Sequence, residues 1–326
     1  MKATAQAPSN IAFTKYWGKK DEVLRLPLHG SISMTQSNLL TTTTVEFSEK
    51  YEKDQVIING GSVETGEAKR VIKHLDRIRK MANINLKAKM VSNNNFPSGT
   101  GLAASASGFA ALTLATCSAA GLKLSEKELS ILARQGSGSA CRSIPGGFVE
   151  WLDGNTSETS YAVQIFPANY WKIADVVVIV STGKKDVSSS KGQENAFTSP
   201  FLPIRLSRMK KKNQLLKKII KSRNFTKFGE VLEAEALEFH TITLTQTPPL
   251  IYWLPTTIML MKLAQTWRKD GLEVYFTLDT GQDIHLLCEA KNVEKVKAKL
   301  KDIKEVKNII VNGPGDGARL IQNHLF

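Results

Sequence analysis

The spacing of apolar residues predicts alternating strands and helices in the first half of the chain. Runs of β-branched or alternating residues predict strands at 41–49, 55–61 and 85–92. Helices are predicted at 66–82, 102–120 and 124–136. The first of these helices has five apolar residues on one face: Val71, Ile72, Leu75, Ile78 and Met81. The second is rich in small residues and ends at Gly121, and the third opens with capping-box spacing between Ser125 and Glu128 and stops at Gly136.

The second half of the chain begins with a continuous apolar run at 174–181, which is typical of a buried strand. Helices are predicted at 204–221, 226–240, 256–270 and 292–302, and strands at 272–279, 283–290 and 307–312. Strands and helices therefore mix along the whole chain, which indicates an α+β protein. A length of 326 residues favours two domains, which we place at 1–172 and 173–326.

Composition narrows the class of protein. Hydrophobic residues make up 42% and charged residues 23%, as expected of a globular chain. No apolar run approaches the length of a membrane span, and the N-terminus lacks the apolar core of a secretory signal, so a cytoplasmic protein without membrane contacts is expected. Cys117, Cys141 and Cys288 are widely spaced and odd in number, which favours reduced, buried thiols.

The net charge of +14 raises the question of nucleic acid binding. The basic residues concentrate at 205–223, with smaller clusters at 69–89 and 291–307, and apolar residues interrupt them at helical spacing. This pattern is typical of a solvated helix face, and no Arg/Gly/aromatic module of an RNA-binding protein is present. We therefore expect no nucleic acid partner, and a basic surface that attracts small anionic substrates.

The segment "NNNFPSGTGLAASASGFAAL" at 93–112 places a turn with several glycines directly before the small-residue helix. Gly99 and Gly101 would let the backbone approach an anion, the helix N-terminus would attract it, and Ser105 would add a hydroxyl. The glycine spacing matches neither the Walker loop nor the dinucleotide-binding fingerprint. On spacing alone, a phosphate-binding loop and a packing turn are equally acceptable interpretations.

Four other polar segments are candidates for chemistry, each with a plain structural alternative. "GSGSACRS" at 136–143 offers Arg142 for an anion, or is an ordinary loop. "KKDVSSSKGQ" at 184–193 follows a buried strand, where ligand contacts are common. Lys15 lies among aromatic residues and is either a functional cation or a stem packed on their rings. Asp279 lies at the end of an apolar strand and is either a positioned carboxylate or a turn former. The histidines show no metal-ligand spacing.

Taken in order, these segments resemble those of the diphosphomevalonate decarboxylases, members of the GHMP kinase superfamily. The matching stretches are "NIAFTKYWGKK", "LPLHGSISMT", "NNFPSGTGLAASASGFAAL", "ARQGSGSACRS", "KKDVSS", "EFHTITLTQTPPLIYWL", "YFTLDTG" and "NGPG". The resemblance covers nearly the whole chain. It implies the two-domain GHMP-kinase fold, in which an N-terminal domain like domain 2 of ribosomal protein S5 and a ferredoxin-like C-terminal domain enclose the active site in a cleft.

The resemblance also implies an activity and its site residues. Enzymes of this family are homodimeric carboxy-lyases that use ATP and Mg²⁺ to phosphorylate mevalonate 5-diphosphate at its 3-hydroxyl, and then release phosphate and CO₂ to form isopentenyl diphosphate. Positions that match the family's catalytic residues are Asp279, Lys15 and Arg142. Positions that match its substrate contacts are Asn10, Tyr16, Lys19, Ser137, Gly138, Ser139 and Ser189. The matching nucleotide positions are Ser92, Ser98, Gly99, Thr100, Gly101, Leu102 and Ser105, with Ser105 as the expected magnesium contact.

Several positions depart from the family pattern. Ala104 replaces the first serine of the family's G-L-A-S-S sequence, and Ser190 and Lys191 stand where many bacterial members have an arginine. Gln193 replaces a methionine, and Asp283 adds an acid near the site. Decarboxylation of mevalonate 5-phosphate therefore stays open as an alternative. A mevalonate 3-kinase is less favoured, because the aspartate–lysine pair that such relatives lack is present here.

Overall fold

A computed structural model of the protein describes residues 1–63, 66–97, 101–183 and 185–326. Its strands are β1 Lys2–Ala12, β2 Lys19–Asp21, β3 Leu26–Pro27, β4 Ser31–Ser48, β5 Gln55–Ile58, β6 Gly61–Ser62, β7 Lys87–Asn94, β8 Phe148–Trp151, β9 Ala162–Phe166, β10 Ile173–Ile179, β11 Val274–Thr277, β12 Ile284–Glu289, β13 Asn308–Asn312 and β14 Arg319–Ile321. The α-helices are α1 Gly66–Ala82, α2 Ala104–Ala119, α3 Glu126–Gly136, α4 Ser189–Gly192, α5 Leu202–Ser222, α6 Phe225–Thr245, α7 Pro255–Lys269 and α8 Val293–Leu300.

Two large sheets organise these elements. The first has eight strands, with the path β14-β1-β4-β7-β5-β6 and with β8 and β9 extending from β4. The second has four antiparallel strands in the order β11-β12-β10-β13, which is the ferredoxin-like arrangement predicted for this half of the chain. The first sheet draws its strands from residues 2–166 and again from 319–321, and the second from 173–312. The division into domains 1–172 and 173–326 stays a prediction.

Helix α2 lies directly against the first sheet because its side chains are small. Ala110, Ala111 and Ala115 are completely buried against β1 and β4. The helix begins at Ala104, two residues later than predicted, after Ala103 in the left-handed region at φ 52°. No side chain caps this N-terminus, and in the first turn the backbone amide of Ala106 donates to the carbonyl oxygen of Ala103 at 2.7 Å. The small-residue helix is therefore both a packing element and a support for the preceding loop.

Most predicted elements are confirmed within a few residues. Helix α3 begins with the predicted capping box, in which Ser125 and Glu128 exchange hydrogen bonds. Met81 was wrongly assigned to the buried face of α1, since it is 48% exposed in the last turn. Strand β11 ends at Thr277, so Asp279 lies in the following loop rather than within the strand.

The three cysteines are buried and unbridged, as predicted. Burial raises the pKa of Cys117, Cys141 and Cys288 to about 12 each, so these thiols remain protonated and unreactive at neutral pH. Among the helices of the described residues, none combines the length and the apolar character that crossing a bilayer requires.

Candidate active site

The predicted catalytic pair, Lys15 and Asp279, meets between the two sheets. Lys15 follows the end of β1, and Asp279 lies in the loop that joins β11 to β12. The ammonium nitrogen of Lys15 lies 2.6 Å from Asp279 Oδ1 and also donates a hydrogen bond to the carbonyl oxygen of Ala12. The two side chains are 3% and 19% exposed, so the ion pair is shielded but reachable from the carboxylate side.

Neighbouring positive charges keep the Asp279 carboxylate ionised although it is largely buried. Burial opposes its negative charge, but the neighbouring Lys15 ammonium, together with His285 and Arg142, outweighs that effect and holds the pKa of Asp279 below its ordinary value. Burial lowers the pKa of Lys15, and Asp279 opposes that change. A carboxylate of this kind can orient a hydroxyl group or accept its proton.

Arg142, a predicted catalytic residue, and Asn10, a predicted substrate contact, are hydrogen-bonded to each other. Arg142 lies on a 3₁₀ helix, Gly138–Ser143, and its Nε donates to Asn10 Oδ1 at 3.1 Å. Its Nη1 donates to Ser31 Oγ at 2.6 Å, and Asn10 Nδ2 donates to Ser143 Oγ at 2.7 Å. Within the described part of the chain, the acceptors of the Arg142 guanidinium are neutral oxygens. Its positive charge is thus positioned but not neutralised by a hydrogen-bonded carboxylate.

Tyr16 and the loop at 137–139 form one wall of the site. The Tyr16 ring packs on Trp151, with 4.6 Å between ring centroids. A Cβ atom on Gly138 would lie 2.8 Å from the Tyr16 hydroxyl, so only glycine fits there. Ser137 Oγ donates to Ser105 Oγ at 3.4 Å, which links this predicted substrate loop to the predicted nucleotide loop. Ser139 is half-buried beside them and accepts a hydrogen bond from Asn10 through its carbonyl oxygen.

The predicted nucleotide loop is described from Gly101 onward, and Ser98, Gly99 and Thr100 lie outside the described residues. Gly101 has φ +117°, and a Cβ atom there would lie 2.5 Å from the Cα of Gly281, two residues after Asp279. Leu102 is buried and accepts a hydrogen bond from Ser9 through its carbonyl. Ser105 is exposed in the first turn of α2. The loop thus contacts the segment that carries Asp279.

Ser92 is a predicted nucleotide contact that the structure places within the sheet. It lies on β7, is 7% exposed, and its hydroxyl is hydrogen-bonded to Thr43 Oγ1 on the neighbouring strand at 2.8 Å.

Lys19, a predicted substrate contact, forms an ion pair with Glu22 at 2.5 Å. Ser189 begins the short helix α4, and its hydroxyl is hydrogen-bonded to Thr280, next to Asp279.

Lys185 belongs to this site, although the sequence analysis did not single it out. Its ammonium donates hydrogen bonds to the carbonyl of Thr280 at 2.5 Å and to Ser189 Oγ at 2.9 Å. Burial lowers its pKa to about 8, and the charge of Asp279 opposes that shift. The signal available in the sequence was its position in the polar loop directly after the buried strand β10.

A basic cavity of about 270 Å³ adjoins the loop at 136–139 and was also missed. Its walls include four cationic side chains: Arg25, Arg70, Lys73 and Arg77. The helical spacing of the basic residues of α1 predicted a solvated face instead. Arg70, Lys73 and Arg77 are spaced three and four residues apart, so they lie on the same face of α1. This face forms one wall of the cavity.

The ferredoxin-like second sheet, the uncapped helix after a glycine loop and the buried Lys15–Asp279 pair define a GHMP-type phosphotransfer fold. Two family models match the chain, a diphosphomevalonate decarboxylase-like N-terminal domain at residues 7–162 and a mevalonate 5-diphosphate decarboxylase C-terminal domain at 175–316. The chain therefore belongs to the diphosphomevalonate decarboxylase family, which confirms the resemblance found in its sequence.

Individual relatives agree with this assignment. A diphosphomevalonate decarboxylase of Candida albicans is 37% identical over 311 residues, which cover 90% of this chain and 86% of that protein. Mevalonate diphosphate decarboxylase from Staphylococcus aureus has a similar structure, with a TM-score of 0.94, 37% identity and 98% of each chain covered. A structure described as MDDEF in complex with MVAPP, AMPPCP and magnesium has a TM-score of 0.93, with 40% identity and 99% of each chain covered.

Proposed function

We propose that this protein catalyses the ATP- and Mg²⁺-dependent decarboxylation of mevalonate 5-diphosphate to isopentenyl diphosphate, with release of ADP, phosphate and CO₂. The observation that carries the proposal is the buried pair of Lys15 and Asp279. Arg142 carries a positive charge with neutral hydrogen-bond partners, and Gly101 closely approaches the Asp279 loop. A carboxylate, two cations and an anion-binding loop are the groups that this reaction needs.

The residues divide the chemistry between them. Asp279 orients the tertiary 3-hydroxyl and takes its proton as the oxygen attacks the terminal phosphorus of ATP. Lys15 and Lys185 offset the negative charge that develops during the transfer. Arg142 holds the substrate carboxylate, assisted by Asn10. When the carbon–carbon bond to the carboxylate breaks, its electrons form the new double bond while the carbon–oxygen bond to phosphate breaks, so CO₂ and phosphate leave together.

The residues present fit ATP and magnesium. The first turn of α2 has no side-chain cap, and a helix N-terminus of this kind attracts phosphate. The exposed Ser105 hydroxyl lies in the same turn. Magnesium prefers oxygen ligands and commonly binds phosphate oxygens, several waters and one or two protein oxygens. Among the described residues, no three His, Cys, Asp or Glu side chains cluster as metal ligands. When bound, magnesium neutralises phosphate charge, and Ser105 is the residue that would contact it.

The basic cavity is the proposed place of the substrate's 5-diphosphate. It adjoins Gly136, directly before the loop that we assign to substrate binding, and its lining includes four cationic side chains and one acidic residue, Glu22. A diphosphate carries more negative charge than a monophosphate, so this charge favours mevalonate 5-diphosphate over the 5-phosphate. The assignment also gives a role to basic residues that the sequence analysis placed on a solvated helix face.

The proposed activity is tested with purified protein, ATP and Mg²⁺ and, in separate reactions, mevalonate, its 5-phosphate and its 5-diphosphate. ADP and CO₂ are measured together. We expect equal amounts of both products from the 5-diphosphate alone. ADP without CO₂ would indicate a kinase, and turnover of the monophosphate alone would change the substrate.

The Lys73→Gln substitution tests the diphosphate cavity. Lys73 is an exposed wall residue, and loss of one charged contact should raise KM for the 5-diphosphate by about 10-fold with little change in kcat. Lys80→Gln is the matched control, because Lys80 is equally exposed on the same helix but does not line the cavity. Equal KM values for the two variants would contradict the assignment.

The remaining expectations on partners and location stay proposals. We propose that the protein is a homodimer, as the family resemblance implies. We also propose that it is located in the cytoplasm and has no nucleic acid partner. Sedimentation equilibrium gives the oligomeric state directly. A monomer at all concentrations would contradict the first of these proposals.

A further inference from the structure

A buried cluster of charged side chains lies behind Lys15 and has no part in the mechanism described above. Arg205 on α5 and Glu235 on α6 form its centre, and their side chains are 1% and 0% exposed. Their closest nitrogen and oxygen atoms are 2.5 Å apart. Lys212 also pairs with Glu235, and both Arg205 and Lys212 contact Glu238 at the edge of the cluster.

Glu235 and Arg205 bind both polar groups of the Lys15 main chain, the N–H and the carbonyl oxygen. The backbone N–H of Lys15 donates to Glu235 Oε1 at 2.9 Å. The guanidinium of Arg205 donates from Nη2 to the carbonyl oxygen of Lys15, also at 2.9 Å. Because Arg205 Nη2 donates to Glu235 Oε1 as well, the carboxylate, the guanidinium and the Lys15 main chain form one closed ring of hydrogen bonds.

Lys15 needs such an anchor because it lies beyond the end of a strand. Strand β1 ends at Ala12, and the sheet therefore does not hold the Lys15 peptide groups. A second anchor lies two residues further on, where Trp17 Nε1 donates to Gln246, the residue directly after α6, and Gln246 donates in turn to the carbonyl oxygen of Gly192. The segment that carries Lys15 is thus attached to side chains of α5 and α6.

We propose that Glu235 and Arg205 are positioning residues for the catalytic reaction: they clamp the main chain of Lys15 and thereby aim its ammonium group at Asp279 and the reacting hydroxyl. The inference rests on the function proposed for Lys15. Buried ion pairs are often no more stabilising than apolar residues of the same volume, so the value of this pair lies in its geometry. Residues that fix a reacting group matter strongly, because a displacement of 1 Å can reduce a rate by about 10²-fold.

Glu235 also affects the charge state of Lys15. Burial opposes the negative charge of Glu235, but Arg205 and Lys212 outweigh it and lower its pKa to about 2, so the carboxylate is ionised at neutral pH. The charged groups that act on the Lys15 ammonium are Asp279 from the β11–β12 loop, Glu235 from α6 and Arg142 from the 3₁₀ helix. Two histidines also face it: His285 from β12, and His240 from α6, whose pKa burial lowers to about 3, so that it is neutral at pH 7. Neutralising Glu235 therefore makes Lys15 easier to deprotonate.

The test compares the full-length enzyme with its Glu235→Gln variant, in assays of CO₂ release from mevalonate 5-diphosphate with ATP and Mg²⁺. The glutamine keeps an oxygen near the Lys15 N–H but loses the charge that holds Arg205. We expect kcat to fall about 10- to 100-fold while KM for both substrates changes less than about threefold. The alkaline limb of the kcat profile should move to lower pH.

Asp54→Asn is the matched control. It breaks another ion pair, between Asp54 and Arg79, in which both side chains are only 9% exposed and which involves none of the site residues. The control should lose stability but keep the wild-type kcat and pH profile. A wild-type kcat and profile in folded Glu235→Gln, or an equal loss of kcat in the control, would overturn the clamp.

Glu235→Asp is the second variant, for the case that the first does not fold. It keeps the charge but draws the carboxylate back by one carbon, so kcat should fall without a shift of the alkaline limb. An unchanged kcat here would overturn the proposal as well. A wild-type enzyme that releases no CO₂ would instead contradict the proposed function, whatever the variants do.

Discussion

The Asp279→Asn substitution removes one charge from the catalytic ion pair and keeps the size of the side chain. It leaves the ammonium of Lys15, which is 3% exposed, without the carboxylate oxygen now 2.6 Å away. Removing one partner of a buried ion pair costs about 3–5 kcal/mol of unfolding free energy. Because burial already lowers the pKa of Lys15, the lysine can lose its proton and avoid part of this cost. We therefore expect the lower end, about 3 kcal/mol.

A double-mutant cycle isolates the interaction. Lys15→Met should cost about as much as Asp279→Asn, whereas the double variant leaves no unpaired charge and should cost about the same as either single change. The coupling free energy is then about 2–3 kcal/mol, measured by urea unfolding at pH 7. Lys297 and Glu294, which are 43% and 80% exposed, form the control pair, for which we expect less than about 0.5 kcal/mol. Additive costs at Lys15 and Asp279 would refute the reasoning.

The same Asp279→Asn variant should lose activity. A positioned acid–base group contributes about 10²-fold or more, so kcat should fall by at least that factor, with ADP and CO₂ decreasing together. The circular dichroism spectrum of the variant checks that it is folded. Undiminished turnover would remove the role assigned to Asp279.

Two further predictions concern the loop and the sheet beside the site. Gly101→Ala places a Cβ atom 2.5 Å from the Gly281 Cα at a φ of +117°. This substitution should therefore lower the free energy of unfolding by about 1–3 kcal/mol and lower kcat about 10-fold. Gly121→Ala is the control: Gly121 has φ +77° and open space around it, so this variant should lose stability but keep its kcat. For His285, burial disfavours the imidazolium but Asp175 outweighs it, so the pKa is raised. The extra stability is complete below a pH of about 6.5 and is lost as the pH rises through the folded-state pKa. The stability advantage over His285→Asn should therefore shrink from pH 6 to 9, and a constant difference would contradict this.

The sequence predicted the structure best where a local element depends on residues that are close together along the chain. The 3.6-residue spacing predicted α1, and the pair Ser125 and Glu128 marked the start of α3. The ordered motifs also identified the family, and with it the loops that carry Lys15, Arg142 and Asp279. Strand β1 was missed because its residues are small and polar and because it is buried along nearly its whole length, so it shows no alternation.

Only the tertiary structure shows which of these residues meet. Lys15 and Asp279 are 264 residues apart, and no local pattern links them. The basic cavity joins a turn at Arg25 to one face of α1, and the Arg205–Glu235 clamp joins two helices to a main-chain segment of the first half. Local periodicity is set by backbone geometry over a few residues and can be read along the chain. Long-range contacts depend on how sheets and helices pack, and that packing decides which charges are buried, paired and able to act on a substrate.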